Sequence, residues 1–188
     1  MTGFLQPYNP EWKIEFESLK QLLTSELEEW DVEIQHVGST AIPGLTAKPI
    51  LDVDIIINSK PFLSPIAAKL EALGYISNGE QGIPGRFAFS QASNLIPKTT
   101  SSRLWQAHHL YVCFSDSLAL KNHLIFREAL LKDKKLSERY GQLKVALIAD
   151  PEMTKETYTR RKTDFILSVL AQAGMETEEL NQIRQANS

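Results

Sequence analysis

The chain has 188 residues, 43% of them hydrophobic and 23% charged, an ordinary globular composition that excludes intrinsic disorder and predicts one compact domain. At this size folding buries roughly 70% of the surface exposed by the unfolded chain, so a core forms without disulfides or structural metal. A net charge of -3 supplies no overall field for nucleic acid, and no stretch approaches the ~20 apolar residues of a membrane span.

Cys113 is the single cysteine, and its neighbours Val112 and Phe114 predict a buried core thiol. Residues 1–10 lack a cationic and apolar leader, so a cytoplasmic protein is expected. Asn9 and Pro10 open a helix whose apolar positions, Trp12, Phe16, Leu19, Leu23, Leu27 and Trp30, recur at three and four residues. Val32–Val37 and the β-branched run Ile50–Ile57 read as strands, and the Gly- and Pro-containing link between them is too short for a parallel crossover. They are expected to pair antiparallel.

A helix from about Pro61 to Leu73 stops at Gly74. Arg86–Ser90 and His108–Phe114 alternate as two further strands, separated by a long polar loop, Gln91–Gln106, that borders a site or hides a short strand. Three helices follow: Leu118–Leu131, a second marked by Leu136, Tyr140, Leu143 and Leu147, and a third opened by Asp150 and Pro151. Strands before helices predict an α+β fold, a mixed sheet with helices packed on one face. Residues 1–173 form the expected domain, and the polar run 174–188 is expected as a tail, a frayed helix or solvated cap.

Asp52 and Asp54 stand two apart on a strand, so their side chains share one face of an otherwise apolar segment. Buried unpaired carboxylates are costly, and a divalent cation bridging both removes that cost; oxygen ligands suit Mg²⁺ or Mn²⁺. Without an ion the two repel, so neutralising Asp54 is expected to leave stability unchanged or raised. The alternative is a pair at an exposed sheet end, or one matched by Lys48 and backbone amides. Upstream, Gly38, Ser39 and Thr40 end a strand with free amides that can cradle a phosphate, or form an ordinary tight turn.

The run His36–Asp54, HVGSTAIPGLTAKPILDVD, resembles the central motif of the GrpB-like family of the nucleotidyltransferase superfamily. Further similarity runs nearly the full length, through YNPEW at Tyr8–Trp12, HLYV at His109–Val112, Phe126-Arg127-Glu128, Tyr140 with Lys144, and Tyr158 with Lys162. The resemblance implies a nucleotidyltransferase-like sheet on which Asp52 and Asp54 hold metal and Gly38, Ser39 and Thr40 hold phosphate. The expected ligand is a nucleoside triphosphate with Mg²⁺ or Mn²⁺, with a nucleotidyl group passing to an unknown acceptor.

This chain departs from that pattern in one respect. Active members of the superfamily place a third carboxylate on a neighbouring strand, and neither candidate strand here carries one. His109, in the position nearest the aspartates, is the expected catalytic histidine, with His108 pointing the other way. Tyr111 stands where the family often has a second histidine. Lys48, Tyr158 and Lys162 are the expected nucleotide contacts, because a tyrosine and a lysine four apart share a helix face; the same pairs also suit a core aromatic with a snorkelling lysine. The missing acid leaves open a noncatalytic nucleotide-sensing or protein-binding module. His36, His108, His109 and His123 form no recognised zinc spacing.

Overall fold

A computed structural model describes residues 5–186; the first four residues of the expected domain and the last two of the expected tail lie outside it. The elements run α1 (Glu11–Glu26), β1 (Val32–Val37), β2 (Leu51–Ile57), α2 (Leu63–Ala72), β3 (Tyr75–Ser77), β4 (Arg86–Gln91), β5 (His108–Phe114), α3 (Leu118–Lys132), α4 (Lys134–Ala149), α5 (Lys155–Gln172) and α6 (Thr177–Ala186). The strands form one mixed sheet in the order β1-β2-β5-β4-β3, in which only β2 and β5 are parallel. β1 and β2 pair antiparallel as expected, with Gln35 opposite Asp54 and Val37 opposite Asp52.

Alternation along the strands divides the sheet into two unlike faces. Leu51, Val53 and Ile55 of β2, with Leu110 and Val112 of β5, pack against Trp12, Phe16, Leu19 and Leu23 of α1 and Ile66 and Leu70 of α2. The opposite face carries Asp52, Asp54, His109 and Tyr111. There α3 covers one end, where Leu120 packs on Ile56 and Cys113. Cys113 is fully buried. Among the described residues no helix is long and apolar enough to cross a membrane.

Three local expectations are corrected. The loop Gln91–Gln106, expected to border a site or hide a short strand, carries no strand among the described residues beyond the end of β4 at Gln91; the additional strand lies before β4, as the edge strand β3. The loop itself turns toward α1, where Arg103 pairs with Glu15 at 2.9 Å. Asp150 and Pro151 do not open the third helix: the Asp150 carboxylate accepts from Glu152 N–H, closing a turn, and Thr154 caps α5 by accepting from Thr157 N–H. The polar tail contains the ordered helix α6, because Met175, Leu180 and Ile183 supply enough apolar surface to dock it on Leu167 and Leu170 of α5. Ion pairs from Glu179 to Lys121 (2.6 Å) and Arg184 to Asp164 (2.7 Å) flank that contact.

Candidate functional site

β1 ends at Gly38, whose φ of +70° turns the chain into a short 3₁₀ turn over Ser39–Ala41. A Cβ at Gly38 would sit 2.1 Å from Asp52 Oδ2. Glycine is therefore required twice, for the left-handed backbone and for the carboxylate lying against it. Its role is to seat Asp52. Gly38→Ala is expected to destabilise the fold by about 2 kcal/mol or more, since the backbone strain alone costs ~1–2 kcal/mol, and urea unfolding would measure this.

Asp52 opens to solvent, and His109 Nδ1 lies 3.0 Å from its Oδ1. That hydrogen bond raises the His109 pKa, against the opposing effect of partial burial. A cleft of about 310 Å³ begins here, lined by Ser39, Lys48, Asp52, His109, Lys144, Tyr158 and Lys162. Lys144 reaches it from α4, donating to Ser39 Oγ at 2.9 Å and to the Thr46 carbonyl at 2.5 Å. Burial, reinforced by the Lys162 charge, pushes the Lys144 pKa down to about 7, with Asp52 opposing. Lys162 is also held low by burial. Its ammonium and that of Lys48 lie 5.4 and 6.0 Å from the Tyr158 ring, so the three residues form one wall. Asp52 is the only carboxylate among the lining residues.

Of the expected site residues, the fold brings Ser39, Lys48, Asp52, His109, Tyr158 and Lys162 together. Thr40 and Asp54 are placed elsewhere. Thr40 is buried, with its hydroxyl 3.0 Å from His36 Nε2 and donating to the Ile50 carbonyl, so it braces the turn from within. Asp54, expected to hold metal beside Asp52, is 0% exposed. Its Oδ2 lies 2.8 Å from His123 Nδ1 on α3, and its Oδ1 has no hydrogen-bond partner. Burial disfavours the charged imidazole of His123, but the Asp54 charge and hydrogen bond prevail and its pKa is raised.

The register also locates the departure noted above. The residues flanking Asp54 across the sheet are Gln35 and Tyr111, and the next is Ala88, so no acid completes a third position. Among the described residues no group of three or more His, Cys, Asp or Glu is arranged to hold a metal ion. His108 does point away, to Tyr75 Oη at 2.7 Å, and burial lowers its pKa to about 4. Tyr140 stacks on Phe165 in the core, whereas its partner Lys144 enters the cleft. Arg127 ties α3 to β1 through Gln35 Oε1 and the His36 carbonyl.

Sequence reasoning left His123 and Lys144 out of the site. The spacing Tyr140–Lys144 signalled the lysine, but His123 is 69 residues from Asp54 and nothing local marks the pairing.

Comparison with known proteins places this architecture. Residues 4–172 match the family described as GrpB protein. The chain is 30% identical over 159 residues to UPF0157 protein YqkA of Bacillus subtilis, covering 85% of this chain but only 43% of that relative's length. The crystal structure of conserved protein GrpB from Enterococcus faecalis superimposes with a TM-score of 0.72 at 26% identity, over 95% of this chain and 98% of that one. More distantly, the poly(U) polymerase Cid1 aligns with a TM-score of 0.52 at 17% identity, over 87% of this chain and 49% of that one. A Cid1 structure bound to MgGTP gives 0.50, also at 17% identity, over 76% and 43%. With the motif seated on this sheet and the match spanning nearly its whole length, the chain belongs to the GrpB family, on a fold related to that of the nucleotidyltransferases.

Proposed function

We propose that this chain binds a nucleoside triphosphate with Mg²⁺ in the cleft between β2, α4 and α5, and transfers its nucleotidyl group to an acceptor. The observation that carries this reading is the convergence of Lys48, Lys144 and Lys162 with the Ser39 turn on one cleft. Three lysines facing a single carboxylate favour an anion, whose arrival stabilises the charged form of Lys144. Tyr158 offers a ring beside them for a base to stack on, and the Ser39 hydroxyl is already polarised by Lys144.

The aspartates fit a divalent cation. Both are hard oxygen donors, and Asp54 Oδ1 is a buried acceptor without a partner, which a cation would satisfy. Asp52 and Asp54 would hold the ion, which when bound supplies charge neutralisation at the phosphates. The chain's own residues do the positioning. Lys144 and Ser39 grip the phosphates, Lys48 and Lys162 draw them in, and His109 orients Asp52. In the transfer, an acceptor oxygen bonds to the α-phosphorus while the bond from that phosphorus to pyrophosphate breaks. Pyrophosphate leaves with the electron pair, and the acceptor's proton passes to solvent. The MgGTP-bound fold neighbour supports the choice of ligand class.

ATP with Mg²⁺ is expected to raise the melting temperature by several degrees, because ligand at ~100 times its dissociation constant stabilises by about 2.7 kcal/mol. ATP with a chelator is expected to do so much less. Equal shifts would leave phosphate binding and remove the metal. A second reading, a noncatalytic nucleotide-sensing or protein-binding module, draws on the missing third acid and on His123 closing over Asp54. Calorimetric titration separates the two: no Mn²⁺ binding, with or without nucleotide, would favour the module.

A further inference from the structure

A second and larger cavity, about 790 Å³, lies between the start of β4, the end of β5, α3 and α6. Its size suits a small-molecule site. His123, which covers Asp54, forms part of its wall, as do Phe114 of β5 and the first turn of α3. Its outer wall is α6, through Gln182 and Ile183, so it is closed by a helix beyond residue 172, where the family match ends.

The distinguishing group in this cavity is Arg86. Its guanidinium lies 4.6 Å from the centroid of the Tyr111 ring, an arrangement that leaves the edge donors of the planar fork available. Its Nε is buried without a hydrogen-bond partner. Lys60 adds a second positive charge. The cavity's carboxylates are Glu80 and Asp116, and Glu80 already accepts from the Gly85 N–H at 2.7 Å. A buried, unpartnered guanidinium nitrogen calls for an anionic oxygen acceptor.

We propose that this cavity is the acceptor site, taking a small hydroxylated molecule that carries a carboxylate or phosphate paired with Arg86. The acceptor role rests on the triphosphate reading above; the binding site itself does not. Asp52 lines the triphosphate cleft, His123, paired with Asp54, lines this cavity, and the two aspartates are two residues apart on one strand face, a separation of about 6–7 Å.

The test is an NMR titration of the full chain with glycerate and, separately, with glycerol 3-phosphate. Each is run with and without prior saturation by a non-hydrolysable ATP analogue and Mg²⁺, which occupies the lysine cleft. At least one probe should shift the Arg86 Nε–H resonance and the amides of residues 82, 83, 85, 118, 119 and 182, saturably and in the presence of the analogue. Arg86→Met should weaken that probe about tenfold or more. Gln182→Trp fills the cavity from an exposed position on α6 and should block the probe even if Arg86→Met proves unfolded. Lys144→Met should weaken the analogue's binding roughly thirtyfold and leave the probe's intact. If neither probe moves these resonances, or if Gln182→Trp leaves binding unchanged, the site is overturned. A probe response that persists where the analogue gives none would instead overturn the triphosphate reading and leave the pocket.

Discussion

Lys144→Met is expected to weaken binding of ATP with Mg²⁺ by about 2 kcal/mol, a roughly thirtyfold rise in Kd, because it removes a charge-assisted contact to phosphate inside a buried wall. The same residue should leave a pH signature on the unliganded protein. Lys144 is 3% exposed, and burial together with Lys162 lowers its pKa from the ordinary 10.5 to about 7. Between those values the unfolded chain binds the extra proton, so stability rises with pH. The slope from this group reaches about 1.4 kcal/mol per pH unit and vanishes below pH 7, where the folded and unfolded states are both protonated. Urea unfolding of wild type and Lys144→Met at about pH 7 and 9 isolates the effect, since the variant lacks it. Bound triphosphate favours the ammonium and should flatten the slope. A variant that binds ATP like the wild type would remove Lys144 from the site.

The second large effect is expected at Asp54. Asp54→Asn should lower stability by about 2–4 kcal/mol, because it breaks an ion pair, buried on the Asp54 side, with His123 at 2.8 Å. Two aspartates two residues apart lead, from sequence alone, to the opposite expectation, that neutralising one relieves repulsion. His123 reverses the sign. Because the His123 pKa is raised in the folded state, its stabilisation is fully present below its unfolded value of about 6.5 and is lost as pH rises through the folded value. The difference between wild type and Asp54→Asn should therefore be largest below pH ~6 and shrink above it. Calorimetric titration should show Mn²⁺ affinity falling more than tenfold in the variant. Equal melting temperatures at low pH would rule out the pairing.

The contrast at Asp54 illustrates what could be read without coordinates. Period-two alternation in β1, β2 and β5 set which residues share a face, because a strand's side chains alternate whatever surrounds it. From this followed the common face of Asp52 and Asp54 and the placing of His109 toward them and His108 away, while the short link between the strands gave the antiparallel β1–β2 pair. The short Gly- and Pro-containing link carried the turn at Ser39, and the motif from His36 to Asp54 carried the family. These are local properties, encoded within about twenty consecutive residues.

What the sequence could not decide depends on contacts between distant segments. Whether Thr40 faced the cleft or the core rested on the position of His36 Nε2 and the Ile50 carbonyl. Tyr140 and Tyr158 each have a lysine four residues on, yet Phe126 and Phe165 enclose the first while the second stands at the cleft. The same spacing gave two outcomes because burial is set by the neighbouring helices. The α3 crossing that brings His123 over Asp54, and the apolar side of α6 that closes the Arg86 cavity, are likewise products of packing. Local sequence determined which groups share a face of the sheet; tertiary packing alone decided which of them meet a partner, because pairing and desolvation depend on atoms contributed from elsewhere in the chain.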